Sequence, residues 1–190
     1  MTRRVLVTGG AGYIGSHLCK RLAAEGWTPV VFDDLSLGNA WAVKWGPLIE
    51  GDLRDSAALD AAFAEQRPAA VMHLAALSSV AGSMREPERY REVNVTGTAK
   101  LLAAMRRAGV PHLVFSSSAS VYGLPESAAL REDHPLRPIN VYGETKLEAE
   151  RLLADPDLAE GVETVSLRYF NAAGADPEGG LADERGEESH

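Results

Sequence analysis

Short apolar runs alternate along the chain with longer stretches in which apolar residues recur every three or four positions. The runs read as strands at 4–8, 29–33, near 48–50, 70–74, 113–117 and 164–169, and the periodic stretches as helices at 13–25, 56–66, 87–108 and 142–154. Such alternation predicts an α/β fold with a mostly parallel, doubly wound sheet, because parallel neighbours need a crossover and the crossover helices come to cover both faces. The strands are almost continuously apolar, as strands covered on both faces are. Gly26 and Gly109 follow helical patterns and read as helix stops. Residues 123–140, with Pro125, Pro135 and Pro138, are too proline-rich for a helix and join a strand end to a helix start, where sheets of this kind bind ligands. From Ala172 onward the sequence is polar and glycine-rich.

With 190 residues, 45% hydrophobic and 24% charged, the chain can build a proper core without a disulfide or metal staple. Its single cysteine, Cys19, cannot form an internal bridge, so a reducing compartment and the cytoplasm are expected. Arg3 and Arg4 ahead of an apolar run could pass for a signal peptide, but the glycines that follow argue otherwise. The net charge of −8 includes −5 from residues 176–190, which hold six acids against Arg185. No basic stripe is present, so no nucleic-acid partner is expected. No stretch approaches the roughly 18–20 apolar residues that cross a bilayer, so no membrane partner is expected either. His17, His73, His112, His134 and His190 have no ligand-like spacing, and no metal is assigned. Trp27, Trp41, Trp45, Met72 and Met105 read as fillers of core or interface gaps.

Residues 5–15 read VLVTGGAGYIG, and the glycines fit a dinucleotide turn either as Gly10, Gly12, Gly15 or as Gly9, Gly12, Gly15. Positions without side chains let backbone amides approach a pyrophosphate at the positive end of the next helix. Asp33, at the end of the second predicted strand, is placed to accept from a ribose hydroxyl, which makes the expected sheet one of Rossmann type. Asp34 follows it, and two carboxylates repel a 2′-phosphate, which favours NAD over NADP. Asp52, in Gly51-Asp52-Leu53, could hold an adenine edge or cap a helix.

Tyr142 and Lys146 lie one turn apart on one helical face. Bringing a phenol from about 10 to near 7 takes roughly 4 kcal/mol of preference for the phenolate. A neighbouring ammonium and a positive nicotinamide ring are expected to supply it. Ser118, in the hydroxyl-rich run FSSSAS, could hydrogen-bond the reacting hydroxyl.

TGGAGYIGSH, the Asp33–Asp34 pair, EGDLRD, HLAAL, NVTGT, SSSASVYG, YGETK and LRYFNAAGADP, in that order and spacing, resemble the extended short-chain dehydrogenase/reductase family and, within it, the NAD-dependent epimerase/dehydratases. The resemblance implies bound NAD and a UDP-hexose substrate whose C4 centre is inverted by transient oxidation. It implies that Gly9, Gly12 and Gly15 form the cofactor turn, that Tyr13 and Ile14 cover the pyrophosphate, and that Asp33 holds the adenosine ribose with Asp34 beside it. Asp52 and Leu53 would border the adenine. Leu74, Ala75, Ala76 and Ser116 would line the cofactor cleft, with Asn94 below the nicotinamide half. Tyr142 would be the base, Lys146 its partner and a ligand of the nicotinamide ribose, and Ser118 the proton relay. Phe170 and Asn171 would contact the nicotinamide and the sugar nucleotide. Ser78, also at the cofactor, stands where epimerases often carry a lysine that helps hold the pyrophosphate, and Asp34 stands where asparagine is usual.

In members of the family the substrate-binding part follows the point at which this chain ends. Residues 1–171 are therefore expected to form the NAD-binding domain with its catalytic residues, and 172–190 a polar loop leading toward a substrate domain largely missing here. A 4,6-dehydratase would need an acid pair at Ala119 and Ser120, just before Val121-Tyr122-Gly123, and neither residue is an acid. A reductase or decarboxylase of the family, or a non-catalytic NAD-binding module, stay open as alternatives. Apolar positions such as Leu101, Met105 and Leu147 are expected to be surplus to one sheet face, and by the resemblance the helices at 87–108 and 142–154 would pair with their copies in a homodimer.

Overall fold

The computed structural model describes residues 3–127 and 129–181. Six strands, β1 (Arg4–Thr8), β2 (Thr28–Asp33), β3 (Leu48–Glu50), β4 (Ala70–His73), β5 (His112–Ser118) and β6 (Glu163–Tyr169), form one sheet in the order β3-β2-β1-β4-β5-β6. Every pairing is parallel. The order reverses beside β1, between β2 and β4, which opens a crevice at the carboxyl ends of the strands.

Helices cover both faces: α1 (Tyr13–Ala24), α2 (Ser56–Gln66), α3 (Val80–Arg85), α4 (Pro87–Arg91), α5 (Gly97–Ala108) and α6 (Val141–Ala154). Successive strand residues divide between two cores, since side chains alternate across a sheet. Leu6, Val30, Phe32, Val71, Leu113 and Phe115 pack with Leu59, Phe63, Leu101, Met105 and Leu153 from α2, α5 and α6. Val5, Val7 and Val31 pack with Cys19 and Leu22 of α1 on the other side.

The structure departs from the expected elements in three places. The single helix expected over 87–108 is α4, a π-helical stretch over Glu92–Thr96, and α5, and the short helix α3 before it was not expected. A π stretch keeps the 3.6-like apolar pattern nearly intact, so periodicity alone does not reveal it. The uniform burial expected of the strands fails at β6, where Val165 is 55% exposed, because β6 is the edge of the sheet. The apolar positions expected to be surplus on the two long helices are not at the surface: Leu101, Met105 and Leu147 are buried within the chain. Trp27, Trp45 and Met72 pack partly buried against the α1-side core, and Met105 lies in the other core. No helix among the described residues is long and apolar enough to cross a membrane.

Candidate active site

The cleft at the carboxyl ends of the strands has a volume of ≈ 480 Å³. Gly9, Gly12, Tyr13, Ile14, Gly15, Asp33, Asp34, Asp52, Leu53, Leu74, Ala75, Ala76, Ser78, Ser116, Ser118, Tyr142, Lys146, Phe170 and Asn171 all line it. Asn94 does not.

The turn from β1 into α1 is built on close backbone approach. A Cβ on Gly15 would lie 2.1 Å from the Gly9 carbonyl, and one on Gly9, whose φ is +72°, would lie 2.6 Å from the Ala75 amide. Gly12 differs, since its nearest neighbour would be the Gly9 carbonyl at 3.3 Å. Of the two glycine spacings, 9-12-15 lines the cleft, while Gly10 packs toward Val31. Gly12 is the N-cap of α1, and no side chain caps that helix. The cradle is therefore the kind that takes a phosphate on backbone amides.

Asp33 is buried, accepting from the Ala11 amide at 3.0 Å and the Leu35 amide at 2.9 Å. Burial pushes its carboxyl above the usual range, and the two amides pull it back. Each oxygen keeps a lone pair for a hydroxyl. Asp34 accepts from the Ser36 amide and hydroxyl. Asp52 is held by both nitrogen arms of Arg54, which keep its carboxyl below the usual range. The helix-cap alternative for Asp52 is corrected by the structure, in which Asp55 caps α2 by accepting from the Ala57 and Ala58 amides.

At the far end of the cleft, Asn140 caps α6 by accepting from the Gly143 amide at 2.8 Å, and the Tyr142 amide donates to Ser83 Oγ at 3.1 Å. These contacts fix the first turn of α6. Lys146 Nζ donates to the Ser116 carbonyl at 2.8 Å and lies 5.8 Å from the Tyr142 ring centroid. Ser118 hydrogen-bonds Tyr142. Burial raises the Tyr142 phenol above its ordinary value, and the Ser118 hydrogen bond offsets part of the rise. Burial also lowers Lys146 to about 7. The ammonium expected to acidify the phenol is thus itself desolvated, and the side chain that was to supply charge is only partly charged near neutrality.

Asn94 lies behind the cleft wall. It accepts from the Leu77 amide and donates to the Leu77 carbonyl and to Thr145 Oγ1. Thr145 in turn donates to the Tyr142 carbonyl at 2.8 Å. Beside this group, Thr98 Oγ1 donates to the Asn94 carbonyl, so it must accept from His73 Nε2, which leaves Nδ1 to accept from Thr8 Oγ1. Burial, with the Lys146 charge, pushes His73 down to about 3, so it is neutral.

Sequence reasoning missed the wall formed after β2. Ser36, Leu37, Gly38, Asn39 and Trp41 line the cleft, and Trp41 is 40% exposed rather than a filler of the interior. Their position at the carboxyl end of a strand beside the switch point was the one available signal. Beyond β6, the chain crosses back to α1: Tyr13 Oη donates to the Gly174 carbonyl at 2.5 Å, and Lys20 Nζ meets Asp176 at 2.6 Å. No group of three His, Cys, Asp or Glu among the described residues could hold a metal.

Residues 5–185 match the model of the NAD dependent epimerase/dehydratase family. The chain is similar to the UDP-glucose 4-epimerase of Rhizobium leguminosarum bv. trifolii, 51% identical over 98% of this chain and 57% of the relative. It is also similar to that of Rhizobium meliloti (strain 1021), 48% identical over the same shares. The crystal structure of UDP-glucose 4-epimerase from Brucella ovis in complex with NAD superposes with a TM-score of 0.96 at 46% identity, over 99% of this chain and 58% of that one. The enzyme from Bifidobacterium longum in complex with NAD+ and UDP superposes with a TM-score of 0.91 at 34% identity, over 97% and 58%. The chain spans little more than half the length of these relatives.

Proposed function

This chain belongs to the NAD dependent epimerase/dehydratase family, and on that premise we propose that it is the nucleotide-binding and proton-transferring part of a UDP-glucose/UDP-galactose 4-epimerase. The observation that carries the reading is the meeting of Asp33 and the glycine turn with Ser118, Tyr142 and Lys146 in one cleft. The residues fit NAD: the cradle at Gly12 leaves room for a pyrophosphate, and Asp33 keeps acceptor capacity for a ribose hydroxyl. Gly9, Gly12, Tyr13, Ile14 and Gly15 would hold the phosphates. Asp52 and Leu53 would border the adenine, and Leu74, Ala75, Ala76, Ser78 and Ser116 the middle of the cleft. Lys146 and Phe170 would face the nicotinamide end. Asn94 would act from behind the wall by holding Leu77 and Thr145 in place.

When bound, NAD supplies the acceptor that takes the C4 hydrogen and gives it back, and its positive ring favours a nearby phenolate. Tyr142 takes the proton of the sugar 4-hydroxyl, with Ser118 passing it between sugar and phenol. Lys146 stabilises the phenolate while anchored on the Ser116 carbonyl. The proton returns by the same route once the 4-keto sugar has presented its other face, so the product differs only in configuration. Asn171, on the lining of the cleft, would touch the sugar nucleotide. The 1–171 portion acts in this reading as the NAD-binding domain, and 172–181 as the start of the path to the substrate half. Residues 182–190 lie outside the described residues.

In a chain extended to the relatives' full length, Tyr142→Phe should lower UDP-galactose turnover by about 10²–10⁴, the range for loss of a general acid–base group, with NAD affinity almost unchanged. Wild-type turnover in that variant would return the tyrosine to a packing role. Calorimetric titration should find NAD bound at least about tenfold more tightly than NADP, ~1.4 kcal/mol, because Asp33 and Asp34 both face the cleft. We extend the proposal to a homodimer through α5 and α6. With Leu101, Met105 and Leu147 internal, the contact falls to half-buried Ala99, Ala103 and Leu152, with Val95 of the π-helical stretch beside them. Sedimentation showing a folded monomer at micromolar concentration counts against it. Cytoplasmic residence is proposed with it, on the lone cysteine, Cys19, which is buried.

A further inference from the structure

The face of α6 that carries Tyr142 and Lys146 carries a third ionisable residue one turn further on, Glu150, and it is buried. One carboxylate oxygen accepts from Ser117 Oγ at 2.5 Å and from Arg168 Nε at 2.9 Å, and the other accepts from Arg168 Nη2 at 2.7 Å. Arg168 also donates to Tyr122 Oη at 3.0 Å and to the Glu132 carbonyl at 3.1 Å. A buried ion pair is costly to desolvate, and well-packed apolar residues of similar volume are often as stable. Stability alone therefore does not account for Glu150.

Its placement does. Ser117 sits between Ser116, whose carbonyl receives Lys146, and Ser118, which hydrogen-bonds Tyr142. Lys146 anchors on the Ser116 carbonyl and Arg168 pairs with Glu150 at this same end of β5, where the Glu150 charge favours the Lys146 ammonium. The other groups facing Lys146 bring no negative charge: the Tyr142 phenol on its own helix, the Ser116 carbonyl and the Phe115 ring on β5, and neutral His73 on β4. Without the carboxylate, buried Lys146 would lose the one charge that favours its ammonium and Arg168 would lose its ion-pair partner.

We propose that Glu150 is a positioning residue for Ser118, Tyr142 and Lys146: clamped by Arg168 and Ser117, it fixes the end of β5 against α6 and supplies the negative charge that favours the Lys146 ammonium. Its consequence for chemistry rests on the 4-epimerase reading, whereas the clamp does not.

The chain's lysines are Lys20, Lys44, Lys100 and Lys146, so a protein labelled with ¹³C at lysine Cε gives a spectrum in which Lys146 can be titrated directly. The wild-type midpoint is expected near the value of about 7 that burial gives it. Glu150→Gln should lower that midpoint by about one pH unit or more, a tenfold change in proton affinity, and Glu150→Asp should stay within about half a unit of wild type. A merely structural glutamate predicts the opposite sign, since loosened packing admits water and moves Lys146 up toward an ordinary lysine. An upward shift, or none, in Glu150→Gln overturns the proposal. If that variant does not fold, Glu150→Asp and Glu150→Asn, alike in size, give the same comparison, and equal Lys146 midpoints overturn it. The titration is read without substrate, so a shifted midpoint beside inactivity toward UDP-galactose of a chain extended to the relatives' full length would sink the 4-epimerase reading and leave the clamp standing.

Discussion

Lys146 sits in surroundings far from those of an exposed lysine. An ordinary lysine holds its proton to about pH 10, whereas burial brings this one to about 7. Between those values the unfolded chain binds a proton that the folded chain does not, so this side chain's contribution to stability increases as the pH rises through that window and is lost as the pH falls through 7. Lys146→Met should therefore raise the unfolding midpoint relative to wild type by more at about pH 6 than at about pH 9. Denaturant unfolding at the two pH values checks this, and a pH-independent difference would remove the burial of charge as its cause. The Tyr-x-x-x-Lys spacing was legible in the sequence. The protonation of the pair was not, because desolvation depends on what covers the two side chains, and spacing along a helix carries no information about that.

At the scale of elements, the strand–turn–helix at the start of the chain makes a contrast between two glycines. A Cβ on Gly15 would collide with the Gly9 carbonyl, a backbone atom that cannot move without shifting the turn, whereas one on Gly12 meets only a tight contact at the cleft wall. Gly15→Ala should destabilise the fold by about 1–3 kcal/mol, as overpacking does. Gly12→Ala should fold nearly as well as wild type but bind NAD at least about tenfold more weakly. Thermal unfolding beside a binding titration separates the two, and similar stability losses in both variants would refute the contrast. The apolar runs located all six strands, as buried parallel strands allow, but the periodic pattern merged α4, the π stretch and α5 into one helix. A change from α to π hydrogen bonding alters the pattern by one residue, less than the noise in any stretch of this length.

At the scale of the molecule, the segment after β6 returns across the sheet to α1. Asp176 organises it, accepting from Lys20 and from the Gly180 amide. Lys44 Nζ donates to the Gly180 carbonyl at 2.5 Å, and Leu181 is buried. Asp176→Ala should leave the sheet intact and speed proteolytic cleavage within residues 172–181, because local opening is governed by local contacts; an unchanged cleavage rate would mean that Asp176 does not hold the segment. Nothing in the polar, glycine-rich sequence from Ala172 onward announced this return, since the partners lie more than a hundred residues earlier. The sequence by itself determined the parallel sheet, its two-sided cover and the chemical groups at the cleft, because apolar periodicity and short motifs are local properties of the chain. Tertiary structure alone decided that Asn94 stands behind the wall, that Trp41 faces the cleft, that Leu101, Met105 and Leu147 are internal, and that Glu150, Arg168 and Ser117 meet between β5, β6 and α6. Burial, and with it the charge state and direction of a side chain, is set by residues that are distant in sequence and near only in space.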